Sequence, residues 1–146
     1  GGSLGSEADS YYEMMDAILT NPPFGSDYTD SKILDKYVLG KDKNSRRRGI
    51  LFIEQAWNLL KQDGMLAIII DQGVLNSKTN IDVREYIFSH FEIKGIIDLP
   101  ESAFLPYANV SSSIMILKKK KNNVKQGKTI RKGCNRTRLS LPNQKR

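Results

Sequence analysis

Residues 49–70 read Gly49-Ile-Leu-Phe-Ile-Glu-Gln-Ala-Trp-Asn-Leu-Leu-Lys-Gln-Asp-Gly64-Met-Leu-Ala-Ile-Ile-Ile70. In the first part Ile53, Ala56, Trp57 and Leu60 recur at three- and four-residue spacing, which puts them on one face of a helix, with Gly64 as its C-terminal stop. Met65 to Ile70 is apolar at every position, the pattern of a strand buried on both faces of a parallel sheet. A helix that feeds directly into such a strand asks for an α/β arrangement.

The flanks supply the rest of that arrangement. Upstream, Met15-Asp-Ala-Ile-Leu-Thr20 is a short strand stopped by Asn21-Pro22-Pro23, because proline cannot donate to a ladder and restricts the residue before it. Gly25 to Arg48 is rich in Asp, Ser, Lys and Gly and reads as a long loop with a helical turn around Ile33 to Leu39. Loops of that length in a compact domain are usually functional or mobile. Downstream come a polar loop from Asp71 to Lys78 and a second helix from Asn80 to Phe91, with Val83, Tyr86 and Ile87 on its apolar side. Ile93 to Asp98 is a further strand closed by Leu99-Pro100, and Ser113 to Lys118 is the last. The link between those two strands is too short for a usual crossover, so the last strand is expected to be antiparallel in a mainly parallel sheet. Residues 1–10 read as an irregular lead-in, 11–120 as the folded domain, and 121–146 as a basic, disordered tail.

The 146 residues are enough for one domain. The net charge of +7 divides unevenly: Lys118 to Arg146 holds 12 basic residues and no acidic one, leaving −5 on the first 117. Pooling the two into "a basic protein, hence a nucleic-acid binder" is therefore an error. One cysteine, Cys134, excludes an internal disulfide framework and argues against a cysteine-based metal site; no metal ligand set is expected. No apolar run is long enough to span a bilayer and the first residues do not resemble a signal peptide, so a cytoplasmic setting is expected, with no membrane partner.

The chemistry concentrates in Asn21-Pro22-Pro23-Phe24-Gly25, at the carboxyl end of a strand, where open α/β sheets place their ligand crevice. An Asn side-chain oxygen and the Pro22 carbonyl can each accept a hydrogen bond from one exocyclic amine. Two acceptors draw the amine lone pair out of ring conjugation and make the nitrogen a better nucleophile. The prolines stiffen the turn that aims the acceptors, and Phe24 offers a face on which a base stacks, worth about 1–3 kcal/mol. Arg46-Arg47-Arg48 ends the loop that begins at this motif and is a candidate phosphate contact. Lys118-Lys-Lys-Lys121 reads as a solvated run, His90 and Trp57 as packing residues, and Asp71 as a cap.

Asp16-Ala-Ile-Leu-Thr-Asn21-Pro-Pro-Phe-Gly25 resembles the catalytic motif of amino-methyltransferases that use S-adenosylmethionine. With Phe52 to Gly64, the strand to Ile70, Gly73-Val-Leu-Asn76, Arg84-Glu-Tyr-Ile87 and Ile96-Ile-Asp-Leu-Pro100, the pattern resembles the N6-adenine DNA methylases over residues 11–120. Within them it is most similar to the modification subunit of type I restriction-modification systems. The resemblance implies a partial methyltransferase (Rossmann-like) fold and methyl transfer to adenine N6 in DNA. It also implies specificity and restriction subunits as partners. Asn21 and Pro22 would hold the amine, Phe24 would stack on a flipped base, Pro23 completes the catalytic string, and Asn21 also falls on the cofactor. Protein-glutamine and guanine-amine RNA methyltransferases share the motif, and a non-catalytic nucleic-acid-binding or assembly module is the competing reading.

The glycine-rich cofactor turn of such enzymes has no counterpart here, so the chain is expected to be the catalytic-motif half of the domain, inactive alone. An unpaired sheet edge near Met15 to Thr20, open to self-association, is expected with it.

Overall fold

The computed structural model describes residues 4–121. Four strands form the main sheet: β1 (Met15–Thr20), β4 (Leu60–Asp71), β5 (Phe91–Asp98) and β6 (Ser112–Lys119), in the order β1-β4-β6-β5. β1 and β4 are parallel, with Ile18 opposite Leu66 and Thr20 opposite Ile68. β6 is antiparallel to both of its neighbours, β4 and β5. Three strands thus run one way and the last runs back between two of them, as its short connection requires. β1 has one partner, β4, and is an edge strand among the described residues.

Two helices cover one face of this sheet, α2 (Arg48–Leu59) and α4 (Ile81–His90). Their apolar stripes, Ile50, Ile53 and Ala56 on α2 and Val83, Tyr86 and Ile87 on α4, close on Leu66, Ile68 and Ile70 of β4 and Met115 and Leu117 of β6. Each large aliphatic side chain so buried contributes about 1.5–3 kcal/mol. The opposite face differs from the sequence reading of β4. Ala67 and Ile69 are only half-buried, and Leu19 of β1 is 82% exposed. Among the described residues no helix covers that side, so the apolar run of β4 is buried on one face.

Three local expectations also change. Helix α2 stops at Leu59, not at Gly64, because Leu60 already pairs with Met15 in the sheet at 0% exposure. Gly64 instead sits in the irregular stretch that follows, after Asp63 at φ +64°, where an added Cβ would meet the Lys61 carbonyl at 2.9 Å. The Asp71 to Lys78 segment is not simply a loop: it holds α3 (Gln72–Asn76), capped by Asp71, whose carboxylate accepts the Gly73 N–H, before a 3-10 turn at Lys78–Asn80. The lead-in is ordered from Leu4, which is 2% exposed and packs with Leu34, Tyr37 and Leu51, and it continues into a 3-10 turn at Ser6–Tyr11.

The long loop is built rather than loose. A two-residue ribbon pairs β2 (Asp27–Tyr28) with β3 (Arg46–Arg47), and between them stands α1 (Ser31–Leu34). Glu54 of α2, 5% exposed, accepts the N–H groups of Val38 and Leu39 at 2.9 Å each and so holds the loop against the helix. The lysine run at the end of β6 is engaged as well. Lys118 and Lys121 pair with Asp63, Lys120 donates to the Phe88 carbonyl, and Lys119, 1% exposed, donates to the Leu60 carbonyl beside Glu13. The remainder of the basic tail, 122–146, lies outside the described residues.

Candidate active site

The Asn-Pro-Pro-Phe string leaves the carboxyl end of β1, beside the end of the central strand β4. Pro22 is buried, and Gly49 in the first turn of α2 comes close to it: a Cβ there would lie 3.9 Å from the Pro22 ring. The Arg48 N–H donates to the Ser26 carbonyl at 3.2 Å, which ties the far side of the motif to the same helix start. With its proline wedged under α2, the turn holds Asn21 outward. Asn21 is exposed, and among the described residues neither its amide nor the Pro22 carbonyl is engaged in a hydrogen bond. Both acceptors are therefore without a hydrogen-bond partner among the described residues.

Phe24 is half-buried, and its ring meets Phe104 edge to face, with centroids 4.9 Å apart at 67°. Such a pair contributes about 0.5–1.5 kcal/mol beyond area burial and fixes the orientation of the ring. Phe104 ends a 3-10 turn (Glu101–Phe104) in the β5–β6 connection, so that connection arches back over the strand ends to reach the motif. The sequence reading did not assign Phe104 to the site. Eighty positions separate it from Phe24, and the path of the β5–β6 connection brings them together.

Two hollows flank the motif. A tight one of about 20 Å³, water-sized, lies between Pro22, Phe24, Arg47, Asp71 and Val74. A shallower one of about 340 Å³ lies on the uncovered sheet face, lined by Leu19, Thr20, Asn21, Ala67, Ile69 and Ile114. Its lining is apolar apart from Thr20 and Asn21 and contains no carboxylate to receive sugar hydroxyls. No group of three or more His, Cys, Asp or Glu among the described residues is placed to hold a metal ion.

The three arginines have separate positions. Arg46, 8% exposed, pairs with Asp82 at the start of α4. Burial alone would raise the Asp82 carboxyl, but the hydrogen bond and charge of Arg46, with the Val83 N–H and the Lys43 charge, together outweigh it and hold the group below its ordinary value. Arg47 is half-exposed beside the motif and pairs with Asp71. Arg48 lies over the Tyr28 ring at 4.6 Å. They are thus distributed over three contacts, and Arg47 is the one that borders the motif. His90 stacks on Tyr86 at 3.9 Å and meets Trp57 edge-on, a packing role.

An Asn-Pro acceptor pair without hydrogen-bond partners and an oriented aromatic ring thus stand together at the carboxyl end of a parallel strand pair. The N-6 DNA Methylase family matches residues 1–133. The chain belongs to that family. It is 25% identical over 118 residues to the Type I restriction enzyme EcoEI methylase subunit of Escherichia coli, covering 80% of this chain and 24% of that protein. Among solved structures, a class I S-adenosylmethionine-dependent methyltransferase from Listeria monocytogenes is 29% identical with a TM-score of 0.64, over 79% of this chain and 35% of that one. A type I modification subunit from Vibrio vulnificus, at 24% identity, shares the fold with a TM-score of 0.63 over 73% of this chain and 23% of the other. The chain spans about a quarter of the length of the curated relative it matches. As a member of this N-6 DNA methylase family it carries a partial methyltransferase fold whose described strands run through the motif end of the sheet.

No helix among the described residues is long and apolar enough to cross a membrane.

Proposed function

We propose that this chain forms the base-gripping part of a DNA adenine-N6 methyltransferase. The observation that carries the reading is the pair of unengaged acceptors, the Asn21 amide and the Pro22 carbonyl, set at a strand end beside the oriented Phe24 ring. The adenine amine has two hydrogens. With one directed to the Asn21 side-chain oxygen and the other to the Pro22 carbonyl, its lone pair stands clear of the ring plane and faces away from both acceptors. Phe24 stacks on the base and Phe104 keeps that ring from turning. S-adenosylmethionine, when bound, supplies an electrophilic methyl group, and Asn21 with the hollow beside it would hold the end that carries it. The proton the amine gives up after transfer is already hydrogen-bonded at Asn21 or Pro22, so no strongly perturbed general base is required.

Arg47, beside the motif and half-exposed, is the arginine available to a backbone phosphate. The likeness to type I modification subunits extends the proposal to partners: the reading includes specificity and restriction subunits and the rest of a methyltransferase domain. The test is methyl transfer to DNA by this chain supplied with the amino-terminal half of a relative. Transfer is expected with the native chain and is expected to be lost in Asn21→Ala.

A further inference from the structure

The β5–β6 connection does more than deliver Phe104. Past the 3-10 turn its backbone closes twice, with Leu105 N–H donating to the Ser102 carbonyl at 3.2 Å and Ala108 N–H donating to the Phe104 carbonyl at 2.9 Å. These bonds shape residues 105–107 into the tip of a tight turn. The tip is Leu105-Pro106-Tyr107, apolar or aromatic at all three positions, and it stands in water. Leu105 is 55% exposed and Tyr107 95%, the highest exposure among the large apolar side chains described. A single exposed apolar residue needs no explanation. A closed turn that presents three in a row, beginning one residue after the ring that touches Phe24, does.

We infer that this tip is a wedge, which enters a DNA duplex and fills the space left when a base swings out onto Phe24. The inference rests on the reading of the motif as a base clamp. A base can reach Asn21 and Phe24 only by leaving its stack, which costs a few kcal/mol and leaves a hole between its neighbours. Proteins that distort duplexes commonly offset such unstacking by inserting an apolar side chain between base steps. Three residues span at most about 11 Å, so Tyr107 is held close to the ring on which the extruded base lies. The turn is closed by backbone bonds, and the side chain is therefore presented without first having to order a loop. Tyr107 supplies a flat ring to stack on the neighbouring bases, and Leu105 fills the space beside it. Nothing else in the described structure packs against Tyr107, so the side chain carries no load in the folded chain.

A wedge and a general stacking surface differ in one respect. Only a duplex has a hole to fill, whereas a stacking surface serves single strands equally. The full chain is titrated into a duplex with a fluorescent aminopurine opposite an abasic position, where extrusion costs least, and into the same labelled strand alone. Aminopurine emission and anisotropy are followed in both. The native chain is expected to disturb the emission in the duplex. Tyr107→Ala is expected to weaken duplex binding about tenfold and leave single-strand binding unchanged, while Tyr107→Phe behaves as the native chain. Equal affinity of Tyr107→Ala and native chain for the duplex overturns the wedge alone, and so does an equal loss on duplex and single strand. If the native chain leaves the emission undisturbed in both, the base-clamp reading fails and the wedge fails with it.

Discussion

Replacing Glu54 by alanine tests how the long loop is held beside the Asn21-Pro22-Pro23-Phe24 string. Glu54 is 5% exposed on α2, and its two carboxylate oxygens accept the Val38 and Leu39 N–H groups at 2.9 Å each. A hydrogen bond to a charged group contributes about 1.5–3 kcal/mol net. The Leu39 bond is buried and the Val38 bond partly so, which lets water recover some of the second. The expected loss for Glu54→Ala is therefore about 3 kcal/mol, a factor of more than about 100 in the folding equilibrium. Glu54→Gln keeps one acceptor oxygen and should lose about half as much. Small domains have about 0.05–0.15 kcal/mol of stability per residue, so the alanine variant should still fold, with a lowered urea midpoint. Trp57, the single tryptophan, reports the transition by fluorescence. Hydrogen exchange localises it: the Val38 and Leu39 amides should lose protection ahead of the β4 amides. A midpoint shift equivalent to less than about 0.5 kcal/mol, with both amides still protected, would refute the assignment of Glu54 as the latch of this loop.

Acid should act partly through Asp82. Its carboxyl is held below the ordinary value of 3.8 in the folded state, so it contributes stability above that value and loses it as pH falls through the depressed one. Asp82→Asn should cost about 1 kcal/mol at neutral pH, discounted for its 39% exposure, and should flatten the acid limb of stability measured by urea titration. Alkali should act through tyrosines: burial pushes Tyr12 up to about 12 and also raises Tyr37 and Tyr86. Groups raised above their ordinary value of 10 add stability below it and lose it as pH rises further. Three of the six tyrosines should then ionise late, together with unfolding, when phenolate absorbance is followed; six that ionise near 10 in a folded chain would contradict this.

The elements most legible in the sequence were those with a period. The stripe of α2 and the apolar run of β4 follow from side-chain spacing alone, and the short β5–β6 link gives the direction of the last strand. Its place between β4 and β5 does not follow from length, because a connection of that size can turn back on either side. Spacing does not mark where α2 stops, since Leu60 fits the helical stripe as well as it fits the strand that claims it. Met65 to Ile70 is apolar at every position, but the side chains of Ala67 and Ile69 carry no mark of whether a second layer lies above them.

The site divides in the same way. Asn21, Pro22 and Phe24 fall within one four-residue string that is legible in the sequence, and the structure adds that the two acceptors are unengaged among the described residues. Phe104 could not be, because its meeting with Phe24 is made by the topology. Arg46, Arg47 and Arg48 show the opposite limit. Adjacent in sequence, they read as one basic cluster, but consecutive residues point in different directions. One is buried against Asp82, one faces Asp71 beside the motif, and one covers Tyr28.

Under the proposed function, Asn21 and Pro22 present an adenine amine to the methyl donor. That role is tested most directly by supplying the chain with the amino-terminal half of a relative and labelled S-adenosylmethionine, then digesting the DNA to nucleosides to locate the label. Label is expected at adenine N6 with the native chain, and in Asn21→Ala a loss of at least about a hundredfold in turnover with DNA binding retained. Label on another base, or an Asn21→Ala variant as active as the native chain, would contradict it.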